Sequence, residues 1–330
     1  MNLDPWRTAG GTSTHFATAT VRSGVPEMTM SSQTRTAFEI NWLTASDGGS
    51  LRCGHWRPEG PARGRVLLLQ GLSEFLEKYT EVARGLTARG FEVMSFDWRG
   101  QGHSPPGDGD RAMVFERHLA DLAQVLGSPW FGEPPLLLAH SMGAHLALRH
   151  LQRRPQAVVR AVLCAPMIGI RTGGTPVRLA RVLARLMIGL GLGERWLPGR
   201  RHYTPLRIPF AVNPFTSDRA SYERLRRRIE ADPQLAFGRV DWYWLAAAFA
   251  SVDQLHTPGM AATITTPLTL LLAGHDQVVD SHVARAFAAG LPNAEVQWIA
   301  DGRHELLQEA PAIQAQVWAA IDRAFLDQAA

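Results

Sequence analysis

The stretch Leu136–Ala144 reads LLLAHSMGA, and the interpretation of the whole chain starts from it. An apolar run of strand character leads directly into a segment of helical periodicity, with Ser141 at the junction. Two small residues, Ala139 and Gly143, stand two positions before and after the serine. A tight strand-to-helix turn needs small residues there because the two backbones approach closely, and the turn lifts the serine hydroxyl clear of the sheet edge. The sequence therefore predicts a nucleophilic serine at the carboxyl end of a central strand.

The surrounding chain alternates apolar runs of strand length with helix-length segments. Alternating residues at 38–44 and 51–57 flank Asp47-Gly48-Gly49 and predict a β-hairpin. Nearly continuous apolar strands separated by helices are typical of a parallel sheet that is buried on both faces, so we predict a doubly wound α/β fold. Further strands are expected at 66–69, 91–96, 136–139, 158–164, 268–273 and 296–299, and helices at 79–89, 115–126, 142–152, 281–289 and 310–326.

The alternation stops between residues 167 and 256, where helical periodicity and several prolines replace the strand patterns. We interpret this segment as a helical insertion into an α/β core made of residues 37–166 and 257–330. Residues 1–36 are rich in Thr, Ser and Gly and show no periodicity, which predicts a disordered tail. They lack the basic start and the apolar run of a signal peptide.

The composition of the 330-residue chain excludes several classes of protein. Apolar residues make up 45% and charged residues 19%, as in ordinary globular domains, and no apolar run is long enough to span a membrane. Cys53 and Cys164 form no disulfide framework, so we expect a reducing, cytoplasmic location. The histidines lack metal-binding spacing, and the arginines at 226–228 lack a nucleic-acid motif, so we expect no metal and no nucleic-acid partner.

A serine hydroxyl needs a base and an orienting carboxylate before it becomes an effective nucleophile. In a fold with this turn, the acid and the histidine follow the serine in that order. His304 lies in the polar loop after the last predicted strand, and Asp276 follows the strand before it, so both are expected at the same sheet edge. Asp280 is the alternative acid, although its position favours the N-cap of the next helix.

Two backbone N–H groups must also point at the oxygen on which negative charge develops. Met142 is predicted to supply the first because it follows the serine, and Leu72 the second because it lies in the turn after the strand at 66–69. Gly71 permits that turn. Together these residues predict a serine hydrolase that acts through an acyl-enzyme and needs neither a metal nor a cofactor.

The motifs at 70–74, 96–104, 139–143, 273–276 and 302–307 form a recognisable set. As a set they resemble the α/β-hydrolase superfamily, and within it the branch of monoacylglycerol lipases and bacterial lysophospholipases. Gln70 stands where that branch has a histidine, whereas its Asp-x-Arg-Gly-x-Gly-x-Ser loop is matched in full at 97–104. The resemblance runs from Phe38 to the C-terminus. It implies the α/β-hydrolase fold with a helical lid inserted before the strand that carries the acid, which corresponds to residues 167–256.

The lid segment also predicts the substrate. It holds 14 arginines and seven acidic residues, a net charge of +7, which favours an anionic head group or membrane surface. Its aromatic residues are expected to wall an apolar acyl pocket, and the candidates are Trp242, Tyr243, Trp244 and Phe249. We therefore expect hydrolysis of a single-chain lipid, either a lysophospholipid or a monoacylglycerol. Three alternatives stay open: a broad short-chain carboxylesterase, a serine hydrolase that cleaves peptides or C–C bonds, and a non-catalytic ligand-binding protein.

The segment 177–190 has an amphipathic pattern that leaves two alternatives open. On a helix, Arg178, Arg181 and Arg185 fall on one side, and five apolar residues fill the adjacent arc. In the first alternative the helix lies on an anionic lipid surface, which gives the protein peripheral contact with the inner face of a membrane. In the second, the leucines pack on the core and the arginines are solvated. No obligatory protein partner is inferred.

Overall fold

The structure is a computed structural model that describes residues 38–107, 109, 111–198, 208–236 and 240–326, and the tail predicted at 1–36 lies outside them. The described strands are β1 Phe38–Thr44, β2 Ser50–Trp56, β3 Gly64–Leu69, β4 Phe91–Phe96, β5 Leu136–His140, β6 Arg160–Cys164, β7 Leu268–Ala273 and β8 Ala294–Ile299. The helices are α1 Thr80–Thr87, α2 Val114–Leu126, α3 Ser141–Leu151, α4 Val177–Gly189, α5 Arg219–Ala231, α6 Trp242–Leu255, α7 Ser281–Ala288 and α8 Pro311–Phe325.

The strands form one sheet in the order β1-β2-β4-β3-β5-β6-β7-β8. β1 pairs with β2 and β2 with β4 in antiparallel fashion, whereas every later neighbour is parallel. The predicted hairpin is confirmed, with Phe38 opposite Trp56 and a turn in which Gly48 has a φ of 86°. The prediction of a mostly parallel α/β sheet is confirmed as well. Its parallel strands all end at one edge, where the polar motifs follow them.

Helices cover both faces of the sheet, and β3 shows why its sequence is apolar throughout. Side chains alternate across a strand, so Val66 and Leu68 join the core under α1 and α8. Leu67 and Leu69 join the other core, under α2, α3 and α7. All four side chains are at most 1% exposed, and this double burial rigidly positions the loops at the strand ends.

Between β6 and β7 the described residues form helices and no strand. α6 is fastened to the core by the buried Arg149 of α3. The Arg149 guanidinium donates to the Ser251 hydroxyl of α6 at 2.5 Å and also to Glu116 of α2 at 3.0 Å. Every helix in the described ranges is too short or too polar to cross a bilayer.

Candidate active site

Ser141 lies at the sharp turn between β5 and α3, as predicted. Its φ of 51° is in the left-handed region, which a non-glycine residue adopts only under strong local constraint. A Cβ at Gly143 would lie 2.4 Å from the Gln70 carbonyl oxygen, so only glycine fits there. Ala139, in contrast, is fully buried in the core and its methyl group is accommodated. The turn therefore tolerates alanine two residues before the serine but requires glycine two residues after it.

Three side chains from distant parts of the chain form a hydrogen-bonded array. The Ser141 Oγ lies 3.0 Å from His304 Nε2, and His304 Nδ1 lies 2.8 Å from Asp276 Oδ2. The other oxygen of Asp276 accepts the backbone N–H groups of Val278 and Val279 at 2.8 and 2.9 Å. These contacts fix the carboxylate, which in turn orients the imidazole towards the serine. The geometry suits proton transfer from the serine hydroxyl to His304.

The electrostatics of this array favour a charged carboxylate beside a basic imidazole. Burial alone would lower the pKa of His304, but the charge and hydrogen bond of Asp276 outweigh it, so the pKa lies above its ordinary value. Burial would raise the pKa of Asp276, yet the interactions with His304 and two backbone N–H groups lower it overall. Asp276 is therefore anionic at neutral pH, and it stabilises the imidazolium that forms when His304 takes a proton.

Neither of the competing groups takes part in the array. Asp280 is the N-cap of α7, where its carboxylate accepts the N–H groups of His282 and Val283 at 3.0 and 3.2 Å. His140 lies beside His304, with 4.8 Å between the ring centroids, but burial lowers the pKa of His140 to about 3. His140 is thus neutral and serves as a packing neighbour of His304 rather than as a second base.

The turn after β3 is held from below by Glu74. Its carboxylate accepts the backbone N–H of Gly71 and the Tyr79 hydroxyl, the latter at 2.6 Å. Leu72, the predicted second oxyanion donor, lines the cavity beside Ser141. Met142, the predicted first donor, is in the first turn of α3, whose N–H groups have no acceptor within the helix. Both N–H groups therefore belong to segments at the serine.

Gln70, which replaces the histidine of the resembled branch, is completely buried beneath this turn. Its amide nitrogen donates to the Ser95 hydroxyl at 3.3 Å, and its backbone carbonyl accepts the Trp98 indole N–H at 2.9 Å. The amide oxygen has no partner within the described part of the protein. Gln70 therefore supports the turn through its backbone carbonyl and one amide hydrogen bond.

Sequence reasoning missed a buried ion network under the active site. Lys78, the only lysine of the chain, places its ammonium 2.7 Å from the Glu305 carboxylate and also pairs with Glu74. Its side chain is 6% exposed. Glu305 directly follows His304, so this network links the turn after β3 to the loop that carries the base. The sequence did contain one signal for Lys78: it is a single lysine among 33 arginines, which sets it apart in composition.

An apolar cavity of about 530 Å³ opens beside the serine. Ser141 and His304 lie in its wall, and Trp242 and Trp244 also line it. Tyr243 and Phe249 do not line it, so their prediction as pocket walls was wrong. The remaining apolar walls come from the loop after β6, from α4 and α5, and from the loop after β7, with Met167, Leu183, Ile229 and Val278 as examples.

The two misplaced aromatic residues have other packing roles. Tyr243 covers Gly193, whose carbonyl accepts the Tyr243 N–H at 3.3 Å and where any side chain would collide with the tyrosine ring. Phe249 lies further along α6, beneath the guanidinium of Arg181 at 4.5 Å from the ring centroid. Both rings hold α6 against its neighbours in the 167–256 segment rather than facing the cavity.

The loop that carries His304 is also tied to the 167–256 segment. Arg303 donates to the Asn213 carbonyl at 3.0 Å, and the Glu305 N–H donates to the Phe215 carbonyl at 2.8 Å. The buried Glu309 accepts the Ser217 N–H at 2.8 Å. The loop position therefore depends on the segment above it. In the described residues, no group of three or more His, Cys, Asp or Glu side chains is placed to hold a metal ion.

A mostly parallel sheet, a serine at the turn after its central strand β5, and a histidine and an aspartate on the following loops define an α/β hydrolase of the serine type. The chain belongs to the family described as "Serine aminopeptidase, S33" (Hydrolase_4), whose model matches residues 60–311. It is a serine carboxylic-ester hydrolase of the α/β-hydrolase superfamily.

The relatives of known name agree with this assignment. The chain is 27% identical over 287 residues to the probable lysophospholipase L2 of Haemophilus influenzae, which covers 85% of this chain and 90% of that protein. It is 30% identical over 278 residues to lysophospholipase L2 of Escherichia coli, which covers 76% of each. A crystal structure of a soluble variant of monoglyceride lipase from Saccharomyces cerevisiae superposes with a TM-score of 0.68. At 18% identity over 88% of this chain and 96% of the other, this likeness concerns the fold.

Proposed function

We propose that the chain hydrolyses the acyl ester of a single-chain lipid, a lysophospholipid in the first place and a monoacylglycerol in the second. The observation that carries the proposal is the apolar cavity of about 530 Å³ that ends at the Ser141–His304 pair. A cavity of this size holds one acyl chain and accommodates two chains poorly. The lysophospholipase and monoglyceride lipase names of the relatives support the same substrate class.

The proposed reaction uses the array in two half-reactions. Ser141 Oγ attacks the acyl carbonyl while His304 takes its proton, and Asp276 stabilises the resulting imidazolium. The N–H groups of Leu72 and Met142 bind the oxyanion of the tetrahedral intermediate. His304 then protonates the leaving alcohol oxygen, which departs and leaves an acyl-enzyme on Ser141. In the second half, His304 activates a water that attacks the acyl-enzyme, and the fatty acid is released.

We propose that residues 167–256 act as the lid of this site. α4, α5 and α6 each contribute side chains to the cavity wall, namely Leu183, Ile229 and Trp244. The wall therefore exists only when these helices cover the sheet edge. Such a cover excludes water from the ester and supplies the apolar contacts that hold the acyl chain.

The outer face of α4 supports contact with a lipid surface. Leu179, Val182 and Leu186 point to solvent at exposures of 48, 59 and 53%. They form one stripe at helical spacing, and the exposed Arg178 and Arg185 lie beside it. The buried face instead consists of Ala180 and Ala184. An exposed apolar stripe flanked by arginines is the pattern of a helix that lies in a lipid interface.

The proposed function is tested with a substrate panel on purified protein. We expect the highest kcat/KM for lysophospholipids, lower values for monoacylglycerols, and low values for short p-nitrophenyl esters and aminoacyl amides. Ser141→Ala should abolish turnover and labelling by a fluorophosphonate probe, with the label on wild-type protein mapping to Ser141. A preference for acetyl or butyryl esters without release of long-chain fatty acid would contradict the lipid assignment. Cleavage of the amides alone would favour a peptidase.

A further inference from the structure

A second cavity, of about 420 Å³, lies beside the acyl cavity and has a different chemical character. It is enclosed between α5 of the lid segment and α1 and α8 of the core. Four residues line both cavities, and they form the partition between them: Lys78, Phe215, Leu225 and Glu305. Because Glu305 directly follows His304, the partition stands next to the proposed base. The second cavity therefore lies directly beside the proposed catalytic site.

The second cavity is lined by two arginines that form no salt bridge within the described residues. They are Arg224 and Arg228 of α5. Arg224 donates to the Ser221 hydroxyl at 2.7 Å, and Arg228 reaches Thr80 Oγ1 at 3.5 Å. The pKa of Arg228 lies below its ordinary value, chiefly because burial penalises the charged form. These are half-buried guanidinium groups with most of their donors unused.

The carboxylates of the same wall are already paired with other cations. Glu305 is bound by Lys78 at 2.7 Å, and Glu81 by Arg84 at 2.9 Å. Glu81 and Glu77 still attract Arg228 at longer range, but neither forms a salt bridge to it in the described residues. The charged residues of the lining are Lys78, Arg224 and Arg228 against Glu81 and Glu305, a net charge of +1, which favours an anionic occupant.

An unsatisfied amide in the cavity wall independently indicates a polar occupant. Gln308 lines the cavity, and both its amide nitrogen and its amide oxygen are buried without a hydrogen-bond partner in the described part of the chain. Leaving such atoms unpaired is unfavourable, so they mark a place where a bound molecule supplies the partners. A group that both accepts and donates hydrogen bonds fits this amide, as a phosphorylated glycerol does.

We propose that this second cavity binds the phosphate-bearing head group of the lipid while the acyl chain occupies the first. Arg224 and Arg228 donate to the phosphate oxygens, and the Gln308 amide bonds the glycerol or phosphate oxygens. In this proposal the short glycerol backbone lies along the shared wall, with its ester at Ser141 and its phosphate on the side of Arg224 and Arg228. The inference rests on the proposed lipid substrate and adds a determinant for its head group. It explains how one apolar cavity can serve an enzyme that prefers a lysophospholipid to a monoacylglycerol.

The test compares two lipids with the same acyl chain, a lysophosphatidylglycerol and a monoacylglycerol, in one assay. Arg228→Gln should lower kcat/KM for the lysophospholipid about tenfold or more, mainly through KM, and should change the monoacylglycerol value by less than about twofold. Arg228→Lys should retain part of the lysophospholipid activity. Arg227→Gln is the matched control because Arg227 is exposed on the same helix and lines neither cavity. The monoacylglycerol rate reports in the same experiment that each variant is folded.

Several outcomes would overturn the head-group proposal. Equal losses of kcat/KM on both lipids would show that Arg228 has a general structural role. No loss on either lipid would show that the second cavity does not bind the head group. Inorganic phosphate, added as a competitor, provides a further test. It should raise KM for the lysophospholipid but not for the monoacylglycerol, and only when Arg228 is present. If phosphate binding depends on Arg228 but Arg228→Gln does not change the ratio of the two lipid activities, the second cavity binds a free anion rather than the head group. If the wild-type protein hydrolyses no lysophospholipid, the proposed function itself is contradicted. If it hydrolyses lysophospholipid but Arg228→Gln has no effect, only the head-group proposal is contradicted.

Discussion

At the scale of single residues, the site depends on how burial and one fixed carboxylate act against each other at His304. The imidazole is 4% exposed, and burial by itself would make it a weak base. Asp276, held by two backbone N–H groups, reverses that effect and raises the pKa of His304 above its ordinary value. The neighbouring His140 has no such partner in hydrogen-bonding reach, and burial lowers the pKa of that imidazole to about 3. Position relative to one carboxylate therefore separates a base from a neutral packing residue.

This difference predicts the pH dependence of activity. The proposed base works only when His304 is neutral, so kcat/KM should rise with pH through a midpoint above 6.5. Asp276→Asn removes the main cause that raises the pKa, so the midpoint should move to lower pH, and kcat should fall roughly ten-thousandfold. Stopped assays across pH 5–9 measure both quantities.

Asp280→Asn is the matched control for this experiment. Asp280 caps α7 and does not reach His304, and asparagine caps a helix about as well as aspartate, so the change should leave both stability and the pH midpoint nearly unchanged. A larger loss of activity in Asp280→Asn than in Asp276→Asn would show that the acid has been assigned to the wrong residue.

At the scale of elements, α4 shows that an amphipathic pattern alone does not say which side of a helix faces inward. The packing alternative placed the leucines on the core and the arginines in solvent. The structure instead buries the small residues Ala180 and Ala184 and turns Leu179, Val182 and Leu186 outward. The reason is space, because α4 packs closely on α6 and small side chains allow that approach. Arg181 also faces α6, where it pairs with Asp253 at 2.5 Å and covers Phe249.

A double variant tests the proposed lipid contact of α4. Val182→Ser with Leu186→Ser removes apolar surface that is already exposed, so folding and hydrolysis of a soluble short ester should be unchanged. Binding to anionic vesicles should weaken at least tenfold, because each side chain loses about 1.5–3 kcal/mol of burial in the interface. Vesicle sedimentation with varied salt measures this binding.

The matched control is Val159→Ser, which removes an equally exposed valine at the start of β6, on the sheet edge away from the site. Vesicle binding that is identical in wild type, in the double variant and in this control would refute the lipid contact. Stronger binding to neutral than to anionic vesicles would contradict the proposed attraction of Arg178 and Arg185 to anionic lipid.

At the scale of the whole molecule, the loop at 97–104 joins three separate elements through Arg99. The guanidinium binds Asp121 of α2 with contacts of 2.6 and 2.7 Å. It also binds Asp47 in the hairpin turn with two contacts of 2.7 Å. Its side chain is 6% exposed and that of Asp121 is 2% exposed. The motif that the sequence shares with the resembled branch is thus a structural tie between the hairpin, the sheet edge and α2.

Removal of this tie should be costly to the whole fold. Arg99→Met leaves the buried Asp121 without its cation, and we expect a loss of roughly 3–5 kcal/mol in the free energy of unfolding, measured by urea denaturation. Arg57→Met is the comparison, because Arg57 pairs with Glu39 on the surface, where such pairs contribute less than about 1 kcal/mol. Equal losses in the two variants would contradict the structural role of Arg99.

The sequence by itself determined the features that depend on local pattern. Continuous apolar strands require burial on both faces, so the α/β class followed from the strands. The small residues on either side of Ser141 predicted the turn, although the contact that requires glycine at position 143 comes from Gln70, which is distant in sequence. The N-cap role of Asp280 was also predictable, because a capping carboxylate contacts backbone N–H groups only two and three residues further along the chain. His304 and Asp276 followed from chain order, because parallel strands bring their carboxyl ends to one edge.

Tertiary structure alone decided the features that depend on which distant surfaces meet. Lys78 and Glu305 are 227 positions apart, and no local pattern pairs them. Tyr243 and Trp244 are adjacent and chemically alike, yet one packs on Gly193 and the other lines the cavity, because the direction in which α6 docks selects between them. The second cavity likewise arises only where α5 settles against α1 and α8. Periodicity defines the faces of a helix, whereas the long-range packing that gives each face its partner is a property of the folded molecule.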